Sequence, residues 1–467
     1  LWRQVNTLIA EEDEMASQRQ LTLTVLGGGS FYVPSFIGTM CRTPEVFAST
    51  QVRLHDIDSE RVRLVKQFCE QFVKAKNVPM TFHDEPDLER ALEGTDFVVA
   101  TFRIGGVKST ILDETIPPEF GYCGDETAGP GGLFMAMRTL PVIVDVARKM
   151  ERICPDAWLM NYANPTNFLA DGVLRTTRIN TVSLCDGYIC PPYHIAGSLG
   201  IPSDGVEALH AGLNHYSFVY RAEREGRDLL QELANADPAA VRNNLAGTDD
   251  FTRYHLWLAY KIFKLYRVYP SIIDHMACYF NHDEVLAGQL KKDRAYYESA
   301  ADEEHIKENW NSLKAQLRDF RQEEADKVAR AHEGGHADLA IGVIRSIVAD
   351  SGELFPVNVP NRGAIPGMDS DTIVELYARV DRHGFTPLVT PSLPPSILAR
   401  LNHFAAYQKL VVSGILDKDY HTLLQALSIH PATTSIDRAS EIFKAMLERE
   451  KEVMGEYWRD VRPLTGL

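Results

Sequence analysis

The run Leu21-Thr22-Leu23-Thr24-Val25-Leu26 closes on three consecutive glycines, and this junction constrains the chain more than any other feature. A β-rich hexapeptide, then Gly27-Gly28-Gly29, then a mostly apolar segment to Met40 reads as strand, tight turn and helix. A second strand, Val52-Arg53-Leu54-His55-Asp56, ends in an acid 27 residues after Gly29. Glycines at such a turn let a dinucleotide pyrophosphate approach the helix N-terminus, where a Cβ would block it. Asp56 can then accept hydrogen bonds from the adenosine ribose, which favours NAD over NADP. Tyr32 stands where the fingerprint has its third glycine, and the plainer alternative is that the glycines merely turn the chain.

The alternation continues. A helix is expected over 61–74, a strand over 97–101, a helix over 135–150, and strands over 157–161 and 181–185. This spacing belongs to parallel doubly wound sheets. Beyond residue 187 the regularity fades into long charged helices, 283–330 and 436–457, with short apolar strands between them. The expected class is therefore α/β: a Rossmann-type doubly wound parallel sheet over 20–187, and a mixed α/β C-terminal catalytic domain over 188–467. Residues 1–19 read as an N-terminal extension, with Met15-Ala16-Ser17 as the natural start and vector-derived sequence expected before it.

Forty-eight basic against 64 acidic side chains leave a net charge of −16. Such a surface repels phosphate backbones and anionic lipid, so neither nucleic acid nor membrane is expected as a partner. The uncharged stretch 21–41 is long enough for a membrane span, but a bilayer helix would not contain a triple glycine and Pro34. Seven cysteines without a CxxC framework suggest reduced thiols in a cytoplasmic enzyme. His332-Glu333-Gly334-Gly335-His336 imitates the zinc-protease pattern, which works only on a continuous helix. Two adjacent glycines cost a helix roughly 2 kcal/mol relative to alanines, so they are read as a turn before a helix starting near His336.

Four segments join glycine loops or strand ends to polar side chains: 103–108, 124–132, 161–165 and 184–186; a fifth, Gly212-Leu213-Asn214-His215, adds an imidazole. Active sites of open α/β sheets lie beyond the carboxyl ends of the strands, where Arg103, Asn164 and Cys185 would emerge.

On these residues the chain resembles glycoside hydrolase family four, the NAD-dependent glycosidases. The resemblance runs from about Thr22 to the C-terminal helices. It rests on Gly27-Gly28-Gly29-Ser30, Asp56-Ile57-Asp58, Arg103-x-Gly105-Gly106, Asp113-Glu114, Glu126-Thr127-x-Gly129-Pro130-Gly131-Gly132, and Arg138-Thr139-x-Pro141. Asn161-Tyr162-x-Asn164-Pro165, Cys185, Asn214-His215 and Asn361-Arg362-Gly363-Ala364-Ile365 complete it. This family stands outside two-carboxylate hydrolysis.

The resemblance implies a redox route in which NAD takes a hydride from sugar C3 and acidifies the C2 proton. A base removes that proton, the aglycone leaves C1, water adds, and C3 is reduced again. Gly27, Gly28, Gly29, Ser30, Asp56 and Arg103 would bind the cofactor. A divalent cation, manganese in this family, would rest on Cys185 and His215; without the resemblance, a buried strand-end cysteine and a turn histidine are the simpler readings. Asp186 resembles the leaving-group acid of α-acting members, which needs its pKa raised by burial. Tyr269 and Asp274 are the candidate C2 bases, with His275 a third; Lys108, Asn164 and His275 are expected to contact substrate. Homodimers or homotetramers are implied, with 257–269 as a possible interface.

Phosphosugar-specific members carry an arginine near the position of Thr110, and Thr110 cannot grip a phosphate. Lys108 offers one point charge instead. The expected substrate is thus an α-hexoside with an anionic C6 group, a sulfoquinovoside or hexuronide, with the sulfonate preferred because it suits an ammonium. A neutral hexose α-glycosidase, a lactate/malate-type NAD dehydrogenase, and a catalytically dead sugar-binding protein are the alternatives.

Overall fold

The computed structural model describes residues 20–461 apart from 128, 294–302, 331–334 and 460. The first six strands are β1 (Thr22–Leu26), β2 (Gln51–His55), β3 (Thr81–Asp84), β4 (Phe97–Ala100), β5 (Trp158–Asn161) and β6 (Asn180–Ser183). They pair in the order β3-β2-β1-β4-β5-β6, every neighbour parallel. That is the dinucleotide-binding order, with its topological switch between β1 and β4. All residues of β1 and β4 are buried, so these strands read as unbroken apolar or threonine runs.

The remaining strands are β7 (Glu207–Leu213), β8 (Tyr216–Arg224), β9 (Arg227–Asp228), β10 (Tyr269–Pro270), β11 (Glu353–Pro360), β12 (Ile373–Asp381) and β13 (Gly384–Pro387). They do not form a separate sheet. Strand β11 joins β6 antiparallel at Asn358↔Ser183, and β12, β7, β8 and β10 follow outward. The sheet thus runs unbroken across the boundary expected at residue 187, with helices on its faces. Helices relevant below are α1 (Tyr32–Arg42), α2 (Gly106–Glu119), α3 (Gly129–Ile153), α4 (Thr166–Thr176) and α5 (Ile273–Phe280).

The glycine loop is wedged between strand ends. A Cβ on Gly27, whose φ is +88°, would lie 2.9 Å from the Thr101 carbonyl beyond β4, and one on Gly28 would lie 2.8 Å from Leu54 Cβ in β2. Close packing of the chain on itself therefore demands these glycines even before a ligand does.

Several expected boundaries move. The expected strand 181–185 stops at Ser183, and Cys185 caps a short 3-10 turn, Asp186–Ile189. The helix expected over 135–150 spans Gly129–Ile153; it is long and apolar enough to cross a membrane, and 83% of its apolar window is buried in the protein. The charged stretch 283–330 is divided into His282–Leu290, Glu303–Arg318 and Gln322–Ala329. The last long helix ends at Arg449, and Gly455 at φ +70° precedes a separate turn, Glu456–Trp458. The stretch 257–269 puts most of its apolar side chains into the core of its own chain, Leu265 being the exposed exception. Gly335 is non-helical and caps a helix beginning at His336, which rules out a continuous metalloprotease helix; His332, Glu333 and Gly334 lie outside the described residues.

A buried ion cluster ties the C-terminal segment to the sheet. Arg138 of α3 holds Asp113 of α2 at 2.5 and 3.1 Å and also bonds Glu450, all three side chains being at most 1% exposed. Burial pushes the Glu450 carboxyl up to about 7 against the pull of Arg138, and it pushes Asp113 up as well. A folded-state carboxyl raised in this way keeps a proton that the unfolded chain releases, so its contribution to stability falls as pH rises from the ordinary carboxylate range through about 7. Glu450→Gln should therefore show a smaller drop in Tm between pH 5 and pH 8 than the wild type. Thermal melts at both pH values check this, and an equal drop in the two proteins would contradict it.

Candidate active site

Five chain segments converge beyond the carboxyl ends of the parallel strands: the glycine loop after β1, Arg103 after β4, Asn164 after β5, Cys185 and Asp186 after β6, and the turn Asn214-His215 between β7 and β8. His215 takes φ +58°, a left-handed conformation that a non-glycine residue adopts only where its surroundings dictate it. The turn brings His215 Nε2 to 3.5 Å from Cys185 Sγ. Metal–ligand bonds of about 2.0–2.3 Å place adjacent ligands of one cation at roughly this separation. Burial pushes the Cys185 thiol well up, with Glu375 and Asp186 adding to the shift, so a bound cation must expel its proton. Burial, then the neighbouring His275, pushes the His215 imidazole down to about 4, leaving it neutral at physiological pH.

A second imidazole stands behind the first. His275 of α5 stacks on His215 with ring centroids 4.0 Å apart and planes 12° apart. Its Nδ1 donates to Asp125 Oδ2 at 2.7 Å. Burial opposes its protonation, but Asp125 and Asp274 outweigh burial and push His275 up to about 10. Burial raises Asp125 as well, yet His275 and the Thr127 N–H hold it below the usual carboxylate range. Burial raises the Asp274 carboxyl too, but the charges of His275, His215 and His255 hold it below its usual range. Asp186 begins the 3-10 turn after Cys185, and its charge reaches Tyr32, Tyr162 and Tyr188.

Of the expected site residues, Cys185, Asp186, His215, Asp274 and His275 come together. Asn164 is half-buried at the end of β5, its Oδ1 accepting from Thr166 Oγ1 at 2.8 Å. Asp56 holds the glycine loop from below, one oxygen accepting Gly29 N–H at 3.0 Å and the other Asp58 N–H at 3.1 Å, while Ser30 Oγ accepts Tyr32 N–H at 3.2 Å. Tyr269 does not reach the cluster. It is fully buried in β10 with Phe263 at 6.2 Å, because its strand pairs with β8 and turns the ring into the core. Lys108 is likewise lost: it is 72% exposed and lies 3.6 Å from Glu452 in the C-terminal segment.

Thr110 is buried, and its hydroxyl accepts from Arg103 Nη1 at 2.7 Å; the same Nη1 reaches Glu126 at 2.5 Å. Both bonds described for the Arg103 guanidinium use this one nitrogen, and the side chain is 34% exposed. Sequence reasoning gave no role to Asp125, Thr127, Glu375 or Tyr32. Glu375 of β12 is buried and accepts from Asn214 Nδ2 at 2.7 Å and Ser217 Oγ at 3.1 Å, which steadies the turn carrying His215. An acid inside the apolar run Ile373-Val374-Glu375-Leu376 was the available signal. Tyr32 feels Asp186, Arg103, Glu126 and Cys185 together, and burial with Asp186 pushes its phenol up to about 12.

The chain is similar to known proteins over nearly its whole length. A "Probable 6-phospho-beta-glucosidase" of Bacillus subtilis (strain 168) is 28% identical over 452 residues, covering 94% of this chain and 99% of the relative. An alpha-galactosidase of the same organism is 26% identical over 423 residues, covering 88% and 93%. A solved 6-phospho-alpha-glucosidase from gut microorganisms, in complex with NAD and Mn2+, superposes with a TM-score of 0.78 at 22% identity, covering 95% of this chain and all of that one. The family 4 glycosyl hydrolase model matches residues 22–200 and that of the family's C-terminal domain matches 210–433, so the chain belongs to family 4 of the glycosyl hydrolases.

Proposed function

We propose that this protein is an NAD- and manganese-dependent α-glycosidase that opens its substrate by oxidation at C3, loss of the C2 proton, expulsion of the C1 aglycone, addition of water with return of a proton to C2, and return of the hydride to C3. The observation that carries this reading is the 3.5 Å approach of Cys185 Sγ to His215 Nε2 beside Asp186. Bound, the dinucleotide supplies a reversible hydride sink and the cation a Lewis acid toward sugar hydroxyls. The residues fit both groups. The glycine loop opens α1, whose first turn holds no acid to compete with a pyrophosphate, and Asp56 closes β2 beside it. Among the described residues no third His, Cys, Asp or Glu completes a cation cage with Cys185 and His215, which leaves an open site for substrate oxygens. All seven cysteines are free, in keeping with a reducing, cytoplasmic setting for the proposed homo-oligomer.

Within this reading Asp186 gives its proton to the leaving glycosidic oxygen, and Asn164 orients sugar hydroxyls. The C2 proton goes to the Asp274 carboxylate, since Tyr269 is withdrawn into the core and His275, pushed up to about 10, already holds its own proton. The anionic C6 group passes from Lys108 to Arg103. With Nη1 tied to Thr110 and Glu126, the Nη2–Nε edge remains for a two-pronged contact. The rule that favoured a sulfonate for an ammonium favours a carboxylate for a guanidinium fork, so a hexuronide is placed ahead of a sulfoquinovoside.

Cys185→Ser should lose turnover and manganese binding while its NAD affinity stays unchanged; unchanged activity and metal content would remove the metal assignment. Turnover in deuterated water should place deuterium at C2 of the released sugar without net NADH formation. Product carrying only protium at C2, or stoichiometric NADH, would point to another reaction. Arg103→Lys should lower kcat/KM roughly ten- to a hundredfold for nitrophenyl α-glucuronide and sulfoquinovoside while sparing the neutral α-glucoside. Equal loss on all three, with weaker NAD binding, would assign Arg103 to the cofactor alone.

A further inference from the structure

We propose that Thr127 and Asp125 are positioning residues for His215, fixing its tautomer and ring plane so that an unprotonated Nε2 meets Cys185. The inference rests on the metal-site reading above and deepens it. Thr127 Oγ1 lies 3.0 Å from Asp125 Oδ1 and 2.7 Å from His215 Nδ1. Asp125 Oδ1 also accepts the Thr127 backbone N–H at 2.8 Å, so it acts as a carboxylate acceptor. The single hydroxyl proton of Thr127 therefore goes to Asp125, and a lone pair faces the imidazole. His215 must bring its hydrogen on Nδ1, which leaves the lone pair of a neutral ring on Nε2, the nitrogen 3.5 Å from Cys185 Sγ.

The same carboxylate also sets the ring plane. Asp125 Oδ2 accepts from His275 Nδ1 at 2.7 Å, and the His275 ring lies flat on His215 at 4.0 Å. Asp125 is in turn fixed by its backbone. Gly124 N–H donates to Gln289 Oε1 at 2.8 Å and Gly124 O accepts Gln289 Nε2 at 3.0 Å, pinning the loop to the helix His282–Leu290. A Cβ on Gly131 would fall 2.2 Å from Asp125 O, so the opening of α3 packs directly on this loop. One buried acid thus orients two imidazoles, and a hydroxyl passes its influence to the ligand. Outer-sphere partners of this kind keep a ligating imidazole in one tautomer and raise its basicity.

The test measures Mn2+ affinity by electron paramagnetic resonance of the free ion and NAD affinity by fluorescence, in wild type, Thr127→Val, Thr127→Ser and Cys185→Ser. Thr127→Val keeps the shape and removes the hydroxyl; it should weaken Mn2+ about 10- to 100-fold with NAD affinity unchanged. Thr127→Ser restores the hydroxyl and should bind Mn2+ as the wild type does. Wild-type Mn2+ affinity in Thr127→Val, with Cys185→Ser defective, would overturn the positioning role alone. Equal weakening in the serine and valine variants would also overturn it. Wild-type Mn2+ affinity in Cys185→Ser would overturn the metal site and this inference together. If Thr127→Val fails to bind NAD, Thr127→Ala carries the same comparison with Thr127→Ser.

Discussion

The site depends on a single joint in the sheet. Strand β11 meets β6 at one residue pair, Asn358↔Ser183, and Asn358 Nδ2 also donates to the Ser183 carbonyl at 3.3 Å. On one side of this joint the parallel strands deliver the glycine loop, Arg103, Asn164 and Cys185. On the other side, antiparallel strands deliver Asn214 and His215 through a tight turn. Cys185 follows β6 by two residues, whereas His215 arrives three strands away through β11, β12 and β7. Two sheet halves must therefore be welded in register before a thiol and an imidazole can approach within one cation's width.

Buried charge makes that weld specific. Glu375, which faces the joint residue Asn358 across the β11–β12 pair, anchors Asn214 and Ser217 on either side of His215. Asp125 anchors Thr127 and His275 on the opposite wall. Arg138, with Asp113 and Glu450, draws in the segment beyond the last long helix. A buried ion cluster contributes little net stability, but removing one member leaves an uncompensated charge, so alternative packings are heavily penalised. The chain spends these costly groups around the loops that deliver Arg103, Glu126 and His215, which is where precise placement of side chains matters to chemistry.

Much of this was legible in the chain. Strand–helix alternation and the glycine turn announced the parallel half, because buried parallel strands are written as continuous apolar runs. Cys185, Asp186 and His215 were legible only through resemblance, since nothing local distinguishes a ligand cysteine from a buried one. Long-range partners were not legible. Glu375 meets Asn214 across 161 positions, and Glu450 meets Arg138 across 312. The direction of a side chain was equally hidden: Lys108 and Thr110 are two residues apart on one helix, yet one reaches Glu452 outside and the other receives Arg103 inside. Tyr269 misled because strand pairing, which decides which face a residue takes, was not visible in a two-residue strand.

In the proposed site one cation is held by a thiolate and an imidazole drawn from the two sheet halves. X-ray absorption at the manganese edge of the NAD-loaded protein reads the donor atoms directly. One sulfur and one imidazole nitrogen are expected in the inner shell, with the sulfur lost in Cys185→Ser. A shell of oxygens alone, unchanged in that variant, would contradict this assignment.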